Sequence, residues 1–494
     1  MITLILSGND FKYELEAVCR IFVGSAKIDV VYGGETPDDG DWVLAAEDGG
    51  RLTARVSIGG TLSEKSGSAD IESPDFGQEC ERVLALLIYQ AFSELTGRRP
   101  DWGVLTGIRP VKLVYKYWEK GMSDEEIVRL LGERYYVSEK KSRVLVRTAH
   151  TEKKAVELSR PESFSLYIAV PFCPTRCKYC SFVSHSIDKA GKLIPEYVEL
   201  LCEELKSTGD MVRELGLCLE TVYMGGGTPT VLTAGQLTQV LSVVNGSFDV
   251  SAAREFTVEA GRPDTVTEDK LDALISCGVD RISINPQTMS DSVLENIGRR
   301  HTAEQTLKAY EMARRRPFKV INMDLIAGLP GDDTESFGRT LETVTSLEPE
   351  NITVHTLSIK RAAGMNEGGE QLFAGSDGRA VQMLDRAYSL LEELGYLPYY
   401  LYRQKNTLDN LENVGFARDG YDGLYNIYIM AETHTIIAAG AGGVTKLCAP
   451  DGLIERTFNY KYPYEYNSRF DTILKRKEEV KRFYERYSDK KDRS

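Results

Sequence analysis

Apolar and polar positions fall into two regimes along the chain. Between Pro161 and Lys360, short apolar runs alternate regularly with amphipathic stretches. The runs LYIAVPF, TVYMGG, FTVEA, RISIN, KVINMDLIAG and NITVHTLS are rich in β-branched and aromatic residues and read as buried strands. Between them, YVELLCEELKSTGDMVREL, AGQLTQVLSVV, EDKLDALISCG and ESFGRTLETVTSL carry apolar residues at helical spacing, and Gly278 stands where a C-cap belongs. Six β-then-α units in series predict parallel strands joined by right-handed crossovers. Six are too few to close an eight-stranded barrel, so the expected α/β fold is a partial (β/α)6 barrel with an open side.

The flanks are less regular. At the start, MITLILS, a helix around Tyr13–Phe22 and KIDVVYGG predict strand, helix, strand, and EDGG joins DWVLAA to LTARVSI as a hairpin. From Glu79 the period turns helical, through ECERVLALLIYQAFSEL, VKLVYKYWEKG and DEEIVRLLGERY. Charges at helical spacing make Lys141–Glu157 look like a solvated connecting helix. After Lys360 the Gly-rich AAGMNEGGEQLFAGSDGRA reads as a linker. Beyond it come a helix (VQMLDRAYSLLEELG), the aromatic-rich YLPYYLYRQKN, strand-like YNIYIM and HTIIAAGAGG, and a charged terminal helix. The expected division is an α/β domain over 1–160, the partial barrel over 161–360 and an α+β module over 361–494.

Composition narrows the function classes. The 494 residues are 42% hydrophobic, ordinary for a folded protein of two to four domains. No apolar run approaches the roughly 20 residues that span a bilayer. The opening MITLILSG meets polar GNDFKYE at once, which fits a buried strand and not a signal peptide. A cytoplasmic protein without a membrane span is expected. The net charge of −14 argues against nucleic-acid binding but is compatible with an anionic small substrate held by a few local cations.

Of nine cysteines, only Cys173, Cys177 and Cys180 cluster, in CPTRCKYC directly after a predicted strand. Three thiolates at this spacing can bind three irons of a cubane and leave the fourth iron open for chemistry. A zinc site with His185 as fourth ligand is the competing reading, since structural zinc takes four ligands. Three buried, unliganded thiols fit poorly, because the segment is too polar for a core.

C-x3-C-x2-C after the first barrel strand, with an aromatic (Tyr179) before the third cysteine, resembles the signature of the radical S-adenosylmethionine (SAM) superfamily. The resemblance implies a [4Fe–4S] cluster on Cys173, Cys177 and Cys180. It also implies SAM chelated at the open iron and cleaved by one electron to a 5′-deoxyadenosyl radical. Motifs at later strand ends extend it. Gly225, Gly226, Gly227 and Thr228 resemble the loop that holds the methionine amino group. Glu259 and Arg299 would contact the methionine moiety, and Gln287 and Asp324 the ribose; Tyr167 and Tyr179 complete the cofactor set. The alternative for Glu259 and Arg299 is an ordinary ion pair at the barrel rim.

The combination YIAVPFCPTRCKYCSF, YMGGGTPT, ISINPQT, IGRRHT and MDLIAGLPGD resembles the oxygen-independent coproporphyrinogen III dehydrogenase group, and the flanking segments resemble its HemZ-like branch. Oxidative decarboxylation of two propionates to vinyl groups, giving protoporphyrinogen IX in haem biosynthesis, is what this implies. A tetrapyrrole substrate, a low-potential donor such as flavodoxin or ferredoxin, and room for a second SAM follow from the same resemblance. A tetracarboxylate needs cations, and arginine pairs carboxylates in bidentate fashion. Arg176, Arg403 and Lys405 are the substrate-binding candidates, with Lys178 and Lys446 behind them, and the C-terminal module is expected to cover the barrel mouth. Two other functions share the barrel: haem carriage by a chaperone-like protein, and a radical SAM methyltransferase or ring-opening enzyme acting on a tetrapyrrole. The His-Asn and Tyr-Trp pairs of the haem-chaperone branch are absent from Arg403–Leu408, which counts against haem carriage.

Overall fold

The computed structural model of the protein describes all residues except 25, 181, 183, 359–377, 405, 450 and 492–494. The chain forms two compact units. One comprises Met1–Ala149, residues 378–381 and Leu401–Glu412; the other comprises residues 150–358, Gln382–Tyr400 and 413–491.

The first unit opens with β1 (Ile2–Ser7), α1 (Lys12–Val23), β2 (Ile28–Tyr32), β3 (Asp41–Asp48), β4 (Arg51–Ile58), β5 (Thr61–Ser68) and α2 (Phe76–Thr96). The strands lie in the order β2-β1-β3-β4-β5. Alternation along β1, β3 and β4 puts Leu4, Leu6, Val43, Leu52 and Ala54 into a core with Val18 of α1 and Leu84, Ile88 and Phe92 of α2. Three helices follow: α3 (Val111–Trp118), α4 (Asp124–Tyr135) and α5 (Glu139–Val156). A capping box between Ser123 and Glu126 starts α4. The expectation that α5 is solvated is wrong on one face. Leu145, Val146 and Ala149 are buried there, and Lys141 is wholly enclosed. Its Nζ lies 2.6 Å from Glu412 Oε1, and Trp102 Nε1 donates to Glu412 Oε2 at 2.6 Å. A charge can sit in a core when it is paired and hydrogen-bonded in this way, which charge periodicity alone cannot reveal.

The second unit carries β6 (Ser163–Val170), the short pair β7 (Phe172–Cys173) and β8 (His185–Ser186), α6 (Ile187–Ala190), α7 (Ile194–Glu214), β9 (Cys218–Gly226), α8 (Ala234–Ser247), β10 (Glu255–Glu259), α9 (Glu268–Ser276) and β11 (Arg281–Ser283). It continues with α10 (Asp291–Asn296), α11 (Ala303–Arg314), β12 (Val320–Ala327), α12 (Thr334–Ser346) and β13 (Asn351–Thr356). After these come α13 (Arg379–Glu393), β14 (Leu397–Arg403), β15 (Glu412–Ala417), α14 (Leu424–Ala431), β16 (Thr435–Ala439), β17 (Val444–Cys448), β18 (Ile454–Phe458), α15 (Pro463–Ser468) and α16 (Phe470–Lys491). Neighbouring strands among β6, β9, β10, β11, β12 and β13 are parallel, so the six βα units form the expected partial barrel.

Both edges of that barrel are extended by the tail. β15 pairs antiparallel with β13, and β16 pairs parallel with β6, followed by β17 and β18. Between β15 and β16 the chain crosses the end where the barrel strands begin. Arg281, first in β11, donates to the Tyr421 carbonyl at 3.2 Å, and Leu424 N donates to Glu255, first in β10, at 2.7 Å. YNIYIM, expected as a strand, is here the helix α14. No strand edge is offered across a barrel floor, and a helix satisfies its own backbone groups. No described helix is long and apolar enough to cross a membrane.

Candidate active site

Active sites on β/α barrels form where the strands end. The cysteine loop leaves β6 at that end. Cys177 is buried; Cys173 and Cys180 are half-buried. Parallel pairing of β7 with β8 ties the loop's two limbs, Phe172 to His185 and Cys173 to Ser186. Backbone contact with the segment after α10 holds its middle, where Lys178 N donates to the Ile297 carbonyl at 3.0 Å. Thr228 Oγ1 donates to Cys173 Sγ at 3.5 Å. Burial, and then the neighbouring Cys177, push the Cys180 thiol up to about 11; burial also raises Cys173. Loading such thiols with metal must therefore displace protons. Among the described residues no three His, Cys, Asp or Glu side chains converge as a ready-made metal site. The fit to a [4Fe–4S] cluster rests on the donor set and its surroundings: three thiols in one loop, with Arg176, Arg262 and Arg299 close enough to act on their charge.

The glycine loop packs onto the root of the cysteine loop. Gly227 N donates to the Val170 carbonyl at 2.8 Å and Thr228 N to the Phe172 carbonyl at 2.7 Å. A Cβ on Gly227 would lie 2.4 Å from the Phe172 oxygen, and one on Gly225 would lie 2.8 Å from the Glu259 carboxyl carbon. The bare backbone is thus what lets Glu259 approach the end of β9. Gly226 joins the two contacts and lies beside Tyr167.

Glu259 and Arg299 are not an ion pair. Tyr223 Oη donates to Glu259 Oε1 at 2.6 Å. Burial pushes the Glu259 carboxyl up to about 7, the Tyr223 hydrogen bond opposing and Asp324 reinforcing the rise. Arg299, 8% exposed, donates from Nε to Tyr179 Oη at 3.2 Å and from Nη1 to the Asn285 carbonyl at 2.6 Å. The same Asn285 accepts from Asp324 N at 3.3 Å through Oδ1. Gln287 has a left-handed backbone (φ 68°) and is bonded to β12 on both sides: its N–H donates to the Asp324 carbonyl and its carbonyl accepts from Ile326. Its side-chain Oε1 is buried without a partner. Asp324 accepts from Asn322 Nδ2 at 2.7 Å and lies 3.8 Å from His355 Nε2. Burial alone would raise the Asp324 carboxyl; His355, Asn322 and Thr353 outweigh it and hold it below the ordinary range. One barrel end therefore carries a carboxyl pushed up to about 7, a carboxyl held below the ordinary range and a buried amide oxygen without a partner.

Tyr223, Tyr425 and His355 escaped the sequence reading. Tyr223, Tyr167 and Tyr425 form a stacked tier, with Tyr223 and Tyr425 ring centroids 4.4 Å apart. Alternation along TVYMGG puts Tyr223 on the face of Gly225, which was a usable signal; Tyr425 arrives from the barrel floor and had none. His355, at the end of β13, was equally silent.

The substrate candidates scatter. Arg176 and Lys178 are exposed in the cysteine loop. Arg403 belongs to the first unit and is 2% exposed. It donates to the carbonyls of Leu105 and Asn410 and lies 5.0 Å over the Trp102 ring, so it is enclosed and turned to its own backbone. Lys446 donates to the Ile429 carbonyl at 3.0 Å near Glu432, beside the start of β16, away from the strand ends that carry the cysteines. Lys405 lies outside the described residues.

Residues 167–344 match the Radical SAM superfamily, whose members carry a [4Fe–4S] cluster and SAM. The chain is 38% identical over 466 residues to the oxygen-independent coproporphyrinogen-III oxidase-like protein HemZ of Bacillus subtilis, covering 92% of this chain and 93% of that one. It is 31% identical over 289 residues to the heme chaperone HemW of Lactococcus lactis, 58% of this chain and 70% of that protein. Among solved structures, coproporphyrinogen III oxidase (HemN) from Escherichia coli shares the fold, with a TM-score of 0.51 at 22% identity over 66% of this chain and 73% of that one. The three-cysteine loop, the polar strand ends around it and this near full-length similarity agree: the chain belongs to the radical SAM superfamily, among its HemN- and HemZ-like proteins.

Proposed function

We propose that this protein carries out the oxygen-independent oxidative decarboxylation of coproporphyrinogen III to protoporphyrinogen IX. The observation that carries the reading is the 38% identity to a coproporphyrinogen-III oxidase-like protein across 92% of the chain. When bound, the cluster and SAM supply reductive cleavage of the sulfonium and a carbon radical that abstracts hydrogen. Cys173, Cys177 and Cys180 would hold the cluster. Glu259 and the backbone of Gly225–Gly227 would receive the methionine ammonium, Arg299 the carboxylate, and Gln287 and Asp324 the ribose hydroxyls. Each propionate loses a β-hydrogen atom, CO2 and one electron; a C–H and a C–C bond break and a C=C bond forms. A carrier of the flavodoxin or ferredoxin class is the reductant, and a one-electron acceptor takes the electron released with CO2. Arg176, exposed on the cysteine loop, is the candidate cation for a substrate carboxylate.

Haem carriage is the second reading, favoured by the similarity to HemW. The test is anaerobic turnover of coproporphyrinogen III with SAM and a strong reductant, followed by oxidation and chromatography of the porphyrins. Protoporphyrin preceded by a tricarboxylic intermediate is expected. Stoichiometric haem binding without any tetrapyrrole product would move the protein to the carrier reading. A methylated or ring-opened tetrapyrrole would overturn decarboxylation in favour of another radical reaction on the same substrate class.

A further inference from the structure

Between Glu259 and the helix α9 the chain reads Ala260-Gly261-Arg262-Pro263-Asp264. Arg262 has no place in the SAM-binding set above, yet it is 3% exposed and reaches directly into the cysteine loop. Its Nη1 donates to Thr175 Oγ1 at 3.0 Å and to the Thr175 carbonyl at 3.3 Å. Its other face grips Asp264 in a fork, Nε to Oδ1 at 2.9 Å and Nη2 to Oδ2 at 2.8 Å. Thr175 stands midway between Cys173 and Cys177, and its hydroxyl also faces the Gly298 carbonyl at 3.4 Å. On the far side of Asp264, His301 Nδ1 lies 3.9 Å away with a fully enclosed ring.

A guanidinium enclosed to this degree costs free energy unless its donors are matched. Four of its five N–H groups are matched here, two by a carboxylate and two by one loop residue. Asp264 fixes the fork, and the fork fixes Thr175. The buried charge is thereby fixed on a residue two positions from both Cys173 and Cys177. We propose that Arg262, oriented by Asp264, is a positioning residue for the iron–sulfur cluster: it holds the Cys173–Cys177 limb in its ligating form and sets the cluster's reduction potential by its charge. A cation beside a cluster favours the reduced, more negative state, so the potential is held up by Arg262 and lowered in part by Asp264.

The experiment uses the full chain, reconstituted anaerobically, and needs no substrate, so its result is independent of whether coproporphyrinogen III is turned over. Cluster release to an iron chelator and the midpoint potential by redox-poised electron paramagnetic resonance are measured for Arg262→Gln, Arg262→Lys, Asp264→Asn and Thr175→Val. Arg315→Gln, which removes an exposed arginine paired with Glu311, is the control for charge alone. Arg262→Gln should release the cluster at least tenfold faster and shift the midpoint to more negative potential. Arg262→Lys should keep the potential near that of the parent but release the cluster faster, because the fork is lost. Asp264→Asn should shift the midpoint the other way. Thr175→Val should speed release without moving the potential. Arg262→Gln with parental release and parental potential would overturn the proposal. Should that variant fail to fold, Asp264→Asn with an unmoved midpoint together with Thr175→Val with unchanged release would overturn it equally.

Discussion

At the scale of single residues, the chemistry is set by how burial and neighbours divide the carboxylates. Glu259 is raised to about 7, so its neutral form is favoured by the fold. The sign follows from linkage: stability from this group is fully present below its unfolded value of 4.5 and is lost as pH rises through about 7. An ammonium placed beside Glu259 reverses this by favouring the carboxylate. SAM affinity should therefore rise from about pH 6 to about pH 8 with proton release on binding, and Glu259→Gln should flatten the profile. Isothermal titration in buffers of different ionisation enthalpy reads both. Gln287 and Asp324 should act without touching iron. Gln287→Ala and Asp324→Ala are each expected to weaken SAM binding tenfold or more, from a lost hydrogen bond of about 1.5–3 kcal/mol, with the cluster spectrum intact. Unchanged affinity in both would remove these residues from the site. Cysteine spacing was legible in the sequence because ligand geometry is local. The enclosure of Arg403 was not, because nothing in YYLYRQKN says that two backbone carbonyls and Trp102 await it.

At the scale of elements, the terminal helix α16 is fastened to the barrel by one buried carboxylate. Glu204 on α7 lies 2.8 Å from Lys477 Nζ and accepts from Tyr466 Oη, Gly440 N and Asn459 Nδ2. Burial raises its pKa, but Lys477 and these donors outweigh that and hold it low. A depressed carboxylate contributes stability above its unfolded value of 4.5, lost as pH falls through the folded value. Lys477→Met leaves the carboxylate without its cation in a dry site and should cost about 3–5 kcal/mol, read by urea denaturation at neutral pH. The deficit should shrink as the medium is acidified below about pH 4.5. A loss under about 1 kcal/mol would show the pair to be replaceable. The sequence showed only a charged helix here, and Glu204, 273 residues earlier in the chain, explains why Lys477 is 4% exposed. α14 makes the same point. Its apolar content was visible, but whether it pairs as a strand or crosses the floor as a helix depends on which edges are free.

At the scale of the whole molecule, the superfamily match ends at residue 344, while the barrel's sheet does not. β15 covers the β13 edge and β16 the β6 edge. A chain ending at residue 358 would leave both edges bare and the floor open, with Tyr167 and Tyr223 exposed below. It should aggregate or lose a cooperative thermal transition, since unpaired edges and an uncovered apolar floor are both association hazards. A soluble truncated chain with a sharp two-state melt would refute that.

The sequence by itself determined the six βα units, the parallel sheet they build and the thiol trio at its end, because these rest on periodicity and on ligands close in the chain. That polar residues gather at the strand ends was legible too, because a barrel brings successive strand ends together whatever lies between them; the part each would play toward SAM came only from the resemblance. Only the tertiary structure decided which of the candidate cations are enclosed and how the tail seals the barrel. It also decided that Arg262 belongs to the cysteine loop 87 residues before it. Those outcomes depend on burial and on partners distant in sequence, and burial is a property of the folded whole.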